Sequence, residues 1–177
     1  MAEVKRVKQL IAIIFLATSL IAHGRDAVAD VAQVTAQANA GNAKAQFELG
    51  MRFAKGDGVA KDESKAVMWL LKSAQQGYSN AEFILGVMYA NGEGVKKSDA
   101  EAAKWFRKVA EKGDEYAQLN LGTMYAEGIG MPVNNKEAYK WFSLSAAQGN
   151  KAAQGEKAKL EKKMTAAEIA EVGRKQK

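Results

Sequence analysis

Residues 81–95 read AEFILGVMYANGEGV, and the same pattern stands 36 residues earlier and 36 residues later in the chain. The earlier copy is AQFELGMRFAKGDGV at residues 45–59, and the later copy is AQLNLGTMYAEGIGM at residues 117–131. A leucine, the glycine after it and a tryptophan 20 residues beyond the leucine recur in register: Leu49, Gly50, Trp69, Leu85, Gly86, Trp105, Leu121, Gly122 and Trp141. A fixed period of this length predicts stacked supersecondary units, none of which could bury its apolar face alone.

Each unit reads as a helix, a tight turn and a second helix. In the first helix, Ala45, Leu49 and Phe53 recur every four residues, which is the spacing of a buried helical stripe. This helix is expected to stop at paired glycines such as Gly92 and Gly94, because glycine readily adopts the positive φ found just past a helix end. The second helix then begins at a strong N-cap residue in every unit: Asp62, Ser98 and Asn134.

Two recurring residue types indicate how the helices pack. The glycine beside the leucine lies inside the first helix, where it costs about 1 kcal/mol relative to alanine. Its recurrence predicts close contact between two helix backbones at that point. The three tryptophans share one position of the second helix, which favours core packing over a platform for stacking sugars or bases.

Segments on either side of the repeats are predicted to close the array. Residues 42–150 hold three complete units, and the alanine- and valine-rich residues 25–41 form an N-terminal capping helix. Residues 151–177 form a degenerate fourth unit and a C-terminal capping helix. Thr165 and Glu168 have the spacing of a capping box that would open this last helix, which is expected to run through Val172.

The first 24 residues form a separate segment. A basic start precedes the apolar residues 10–22, and small residues follow, which is the pattern of a secretory signal peptide. The apolar run is shorter than the roughly 20 residues that usually span a bilayer. The repeats are therefore predicted to be periplasmic or secreted, without a stable membrane span after cleavage. The alternative is an uncleaved N-terminal segment that anchors the protein to the inner membrane.

Composition and charge exclude several classes of function. The 177 residues include no cysteine and a single histidine, His23, which falls in the predicted leader. A thiol nucleophile, a Ser-His-Asp arrangement and a histidine-bound metal are therefore not expected, and no catalytic residue, metal site or cofactor is predicted. Residues 25–150 carry 15 basic and 15 acidic side chains, so they lack the basic stripe that is typical of a nucleic-acid-binding face.

The repeated pattern A-x-x-x-L-G-x-x-[YF]-A-x-G-x-G, followed by an N-cap and A-x-x-W, resembles the Sel-one-like repeat, a relative of the tetratricopeptide repeat. The resemblance covers roughly residues 42–150, and its one departure is Met131 and Pro132, where a valine and a variable residue are usual. It implies an all-α, right-handed α/α superhelical solenoid that acts as an adaptor or scaffold. Secreted bacterial members of the family are associated with envelope assembly, signalling regulation and host contact.

In related superhelices, the face of the first helix opposite Leu49 and Phe53 lines a concave groove. Here that face is predicted to bind the partner through Lys44, Phe47, Met51, Lys55, Asn80, Phe83, Val87, Asn91, Tyr116, Leu119, Thr123 and Glu127. Phe47, Phe83 and Leu119 recur in register and form an apolar ladder. The sequence leaves open whether this apolar ladder is exposed to a partner or buried between neighbouring repeats.

The leading hypothesis is a non-enzymatic interaction scaffold of the bacterial cell envelope that binds a partner peptide or helix on its concave face. An alternative is a cell-wall-related ligand binder or hydrolase acting on β-lactams or peptidoglycan, although the branch of the family linked to β-lactams is rich in cysteine. A third hypothesis is attraction of the basic residues 157–177 to anionic surfaces. The partner's identity and the oligomeric state stay open.

Overall fold

The computed structural model describes residues 30–175, and within that range the chain forms nine α-helices and no strand. The predicted leader, with His23, lies outside the described residues. The described part of α1 covers residues 30–39. The helices that follow are α2 (Ala43–Lys55), α3 (Glu63–Gln75), α4 (Ser79–Asn91), α5 (Asp99–Glu111), α6 (Glu115–Glu127), α7 (Asn135–Ala147), α8 (Lys151–Glu161) and α9 (Ala166–Lys175).

From α2 to α7, each helix packs against the helix that follows it, and α9 packs against α7. The first helices α2, α4 and α6 begin 36 residues apart, as do the second helices α3, α5 and α7. Buried side chains form a continuous series of clusters between the two rows of helices, from Val34 on α1 to Val172 on α9. The predicted all-α solenoid of 36-residue helix-turn-helix repeats is therefore the observed fold.

The second helices begin where the sequence predicts because their N-cap side chains bind a backbone N–H of the first turn. The carboxylate of Asp62 accepts from the backbone N–H of Lys65 at 2.9 Å, and Asn134 accepts from that of Glu137 at 3.1 Å. The bond from Lys65 also lowers the pKa of the Asp62 carboxyl, because it stabilises the charged form.

The last helix begins as expected and ends later than expected. Thr165 and Glu168 form a reciprocal capping box, in which each side chain accepts from the other's backbone N–H. The helix continues to Lys175, beyond Val172 where the sequence pattern ended it. Val172 is buried in a cluster with Tyr139 and Phe142 of α7, and this anchor supports the final turn.

The recurring helical glycines mark the closest approach of the two helices within a repeat. A Cβ atom on Gly50 would lie 2.9 Å from Cγ of Leu70 and 3.1 Å from the carbonyl oxygen of Ala66. On Gly122 it would lie 2.6 Å from Cδ1 of Phe142. The close contact predicted from the sequence is present. In the second and third repeats, however, the helix backbone meets an aromatic side chain rather than another backbone.

The tryptophans pack against the unit that precedes their own: Trp69 lies in a cluster with Val34 of α1, and Trp141 in one with Val109 of the second repeat. Trp69 and Trp141 are buried, whereas Trp105 is half-buried at the same position of the middle repeat. Lysine ammonium groups lie over the rings, with Lys72 at 4.2 Å from the centroid of Trp69 and Lys108 at 4.2 Å from that of Trp105. These contacts cover ring faces that the core leaves open.

In each repeat, a buried polar side chain of the first helix binds a residue at the end of the second helix. In the first repeat, the amide of Gln76 donates to that of Gln46 at 2.7 Å, and in the third repeat Gln148 and Gln118 form the same pair at 2.9 Å. The middle repeat uses an ion pair instead. There, the ammonium group of Lys112 donates to the carboxylate of Glu82 at 2.5 Å and to the carbonyl of Gly77 at 3.0 Å.

We expect Gly122→Ala to lower the free energy of unfolding by about 1–2 kcal/mol. The added methyl would overpack against Phe142, which is 1% exposed and has no room to move, and overpacking costs about 1–3 kcal/mol. Gly155→Ala is the matched control, since an added Cβ atom at this position of α8 would meet no atom within 4 Å. It should stabilise the protein by about 0.5–1 kcal/mol. Urea denaturation measures both changes, and a Gly122→Ala variant as stable as wild type would contradict the close contact.

The ion pair of the middle repeat should be replaceable as a unit but not singly. We expect Lys112→Ala to lower the free energy of unfolding by about 1–2 kcal/mol. The change leaves the carboxylate of Glu82, which is 5% exposed, without a cation. Gln148→Ala, the equivalent neutral change, should cost less. The double substitution Glu82→Gln with Lys112→Gln recreates the amide pair of the neighbouring repeats and should stay within about 0.5 kcal/mol of wild type. If Lys112→Ala and the double variant lost equal amounts of unfolding free energy, this coupling would be refuted.

Candidate functional site

An open groove of about 460 Å³ crosses the first helices α2, α4 and α6. It is lined by Phe47, Ser79, Asn80, Phe83, Ile84, Asp114, Tyr116, Leu119 and Asn120. Most of the lining surface is apolar, and the polar groups are amides, hydroxyls and one carboxylate. The stacking of the repeats creates this groove, because it places the first helices side by side while their second helices close the opposite layer.

The groove brings together five of the twelve side chains that the sequence predicted for partner binding: Phe47, Asn80, Phe83, Tyr116 and Leu119. The other seven do not line it. Lys44, Lys55, Asn91 and Glu127 are exposed beyond its edges, while Met51, Val87 and Thr123 are half-buried. Met51 and Val87 pack against core clusters, and the hydroxyl of Thr123 donates to the carbonyl of Leu119 at 3.0 Å.

Four lining residues were absent from the sequence-based set: Ser79, Ile84, Asp114 and Asn120. Ile84 and Asn120 occupy equivalent positions, each directly after an apolar-ladder residue. Both remaining residues stand at the start of first helices, Ser79 as the first residue of α4 and Asp114 as the N-cap of α6. The sequence could have indicated Ser79, because it directly precedes Asn80, which was predicted to bind the partner.

The apolar ladder is both part of the core and part of the groove. The ring of Phe47 lies 5.3 Å from that of Tyr78, and the ring of Phe83 lies 5.4 Å from that of Phe106 in an edge-on arrangement. Leu119 packs against the cluster around Phe142. All three ladder residues are half-buried, so each uses one side for repeat packing and leaves the other side open in the groove.

The polar groups of the groove can form hydrogen bonds but are not arranged for catalysis. Asn80 is exposed and Asn120 half-buried, so their amides can each donate to and accept from a bound backbone. Asp114 is the one carboxylate among the nine lining residues, which include no lysine, arginine or histidine. A paired acid and base are therefore missing from this groove.

Within residues 30–175, no group of three or more histidine, cysteine, aspartate or glutamate side chains is placed to hold a metal ion. None of the helices described there combines the length and the apolar character needed to cross a membrane.

The repeats are matched by the family model of the Sel1 repeat over residues 43–78, 79–114 and 115–150. The chain belongs to the Sel1 repeat family. This confirms the resemblance drawn from the leucine, glycine and tryptophan pattern. Sel1 repeat proteins generally serve as scaffolds for protein interactions, and their fold is typically non-catalytic. That is the broad class of function that the sequence predicted, with protein as the expected kind of partner.

Solved structures support the assignment. A Sel1 repeat protein from Oxalobacter formigenes is 35% identical, with a TM-score of 0.68, and the match covers 73% of this chain and 98% of that protein. The protein c5321, a protective antigen of uropathogenic Escherichia coli strains with an SLR fold, is 46% identical with a TM-score of 0.68. That match covers 70% of this chain but only 27% of c5321.

A more distant structure shares the fold alone. Helicobacter pylori cysteine-rich protein B is 24% identical, with a TM-score of 0.57, over 71% of this chain and 93% of that protein. A comparison with curated proteins gave no match.

The dual role of the apolar ladder makes a prediction about stability in this Sel1 repeat protein. We expect Phe83→Ala to lower the free energy of unfolding by about 2 kcal/mol, because the ring packs on Phe106 as well as lining the groove. The free energy of unfolding of Tyr116→Ala should stay within about 0.5 kcal/mol of the wild-type value, since the side chain is 59% exposed. Thermal or urea denaturation compares the two variants. A Phe83→Ala protein as stable as Tyr116→Ala would show that the ring contributes nothing to the core.

Proposed function

We propose that this Sel1 repeat protein is a non-enzymatic scaffold that binds an extended segment of a protein partner in the groove across α2, α4 and α6. The observation that carries the proposal is the half-buried apolar ladder, whose open side faces solvent between amide side chains. Apolar surface of this kind tends to mark a partner site. The amides of Asn80 and Asn120 can bind the backbone of the partner, while apolar side chains of the partner fill the spaces beside Phe47 and Phe83.

An extended segment fits this groove better than a small ligand does. The groove is open along its length and is shared by three repeats, whereas sites for small molecules are concave and enclose most of their ligand. A hydrolase acting on cell-wall material would need a nucleophile with a nearby base, and the groove offers one carboxylate without such a partner.

We place this function at the bacterial cell envelope, in the periplasm or outside the cell. The pattern of residues 1–24 supports this location, because it has the basic start and apolar run of a secretory signal peptide. The similarity to c5321, described as a protective antigen, also supports it. The basic C-terminal segment gives less support to binding of anionic surfaces, since Lys157 and Lys159 pair with Glu161 and Glu156 along α8.

The test uses a phage-displayed library of random peptides about a dozen residues long, selected on the protein. We expect enriched peptides with apolar side chains, whose affinity falls about tenfold, or about 1.4 kcal/mol, in the double variant Asn80→Ala with Tyr116→Ala. Both side chains are exposed, so their removal should leave the fold intact. Isothermal titration calorimetry with the synthetic peptides gives the dissociation constants.

The control for this experiment is Met68→Ala on α3, which removes an exposed apolar side chain that does not line the groove. It should leave peptide affinity unchanged. No enrichment at all, or equal binding to the double variant, would argue against the groove as the binding site. Turnover of a β-lactam or of peptidoglycan fragments by the purified protein would contradict the non-enzymatic part of the proposal.

A further inference from the structure

We propose that Asp114 makes the groove selective for partner segments that place a positively charged group, next to an apolar side chain, at the α6 end. This inference rests on the proposed function, because it names the chemistry of the segment that the groove binds. The charged group is a lysine or arginine side chain of an extended peptide. Four features of the structure support this assignment.

First, the negative charge of Asp114 is not needed to cap its helix. Asp114 accepts from the backbone N–H of Ala117 at 2.8 Å, and thereby caps α6. Asn42 caps α2 and Asn150 caps α8 through equivalent bonds of 2.9 Å and 3.1 Å. A neutral amide oxygen therefore caps the equivalent helices elsewhere in the same array. The first turn of α6 already carries Glu115, which supplies a negative charge to the helix dipole.

Second, no cation of residues 30–175 pairs with the carboxylate of Asp114, whereas eleven ion pairs occur elsewhere in that part of the chain. One oxygen of Asp114 is engaged by the cap. None of the other lining side chains is basic, so a bound partner would supply the first positive charge within the groove.

Third, Asp114 is exposed to solvent in the free protein and shares the groove with large apolar and aromatic side chains. Phe83, Leu119 and Tyr116 line the same groove, and a segment bound over them would exclude water from the carboxylate. Burying a charge without compensation is costly. A neutral or acidic segment would therefore bind weakly, while a segment with a cation would offset the lost hydration. The carboxylate acts by rejecting some partners as well as by attracting others.

Fourth, the equivalent position differs in the neighbouring repeat, so the charge is confined to one end. The residue 36 positions before Asp114 is Tyr78, which makes no capping bond and instead packs its ring against Phe47. A basic side chain of the partner therefore has one favourable place. That place would fix the direction and register of the bound segment.

The test compares paired synthetic peptides on wild type and on Asp114→Asn. The peptides come from the phage-library selection, and each enriched lysine or arginine is replaced by glutamine in its pair. We expect wild type to prefer the basic peptide about tenfold at low salt, and Asp114→Asn to reduce this preference to about twofold or less. The preference of wild type should also weaken as salt is added. Amino-terminal acetylation of both peptides separates a side-chain cation from a free terminal amine.

Asp114→Asn is chosen because asparagine side chains cap α2 and α8 in this array. Its melting temperature should lie within a few degrees of that of wild type, whereas Asp114→Ala loses the cap and should be less stable. An unchanged preference in Asp114→Asn, a library without enriched basic residues, or a preference that acetylation abolishes would overturn the inference while leaving the proposed function in place. Failure of every peptide to bind the groove would overturn both.

Discussion

The fold depends on the close approach of the first helix to the second helix within each repeat. At Gly50, Gly86 and Gly122 the first helix has no side chain, and a large residue of the second helix fills the space. This seam fixes how every first helix is rotated about its axis. At 100° per residue, a position three residues before the glycine lies only about 60° away from the seam. Phe83 occupies such a position, which explains why the apolar ladder is partly buried and partly open.

The same rotation explains which parts of the groove the sequence could predict. Phe47, Phe83 and Leu119 share an apolar character, so their period is visible and their inward position follows from it. Ile84 and Asn120 lie about 160° from the seam and face the groove more directly. Their equivalent in the first repeat is Glu48, which pairs with Arg52. Since the three occupants share no chemical property, no repeating signal marks the position.

The fold itself was predictable because its determinants are local and repeated. N-cap residues such as Asp62 and Ser98 begin helices through bonds within one turn, and the 36-residue period follows from the sequence directly. What the period could not provide was the nature of the contacts between helices. Whether a glycine meets a backbone or a ring depends on the side chain at a distant position, which is Leu70 in one repeat and Phe142 in another.

Differences among the repeats, rather than their shared features, give this array its chemistry. The seam is nearly the same three times over, so it cannot distinguish one end of the groove from the other. The positions that vary can do so. Asn80 and Tyr116 are equivalent lining residues of different polarity, as are Ile84 and Asn120, and Asp114 adds a negative charge at one end of the groove. Under the proposed function, a segment bound across all three repeats would therefore meet an ordered series of environments. We therefore propose that the repeated frame supplies the groove, and that the differences between its repeats select one direction of binding.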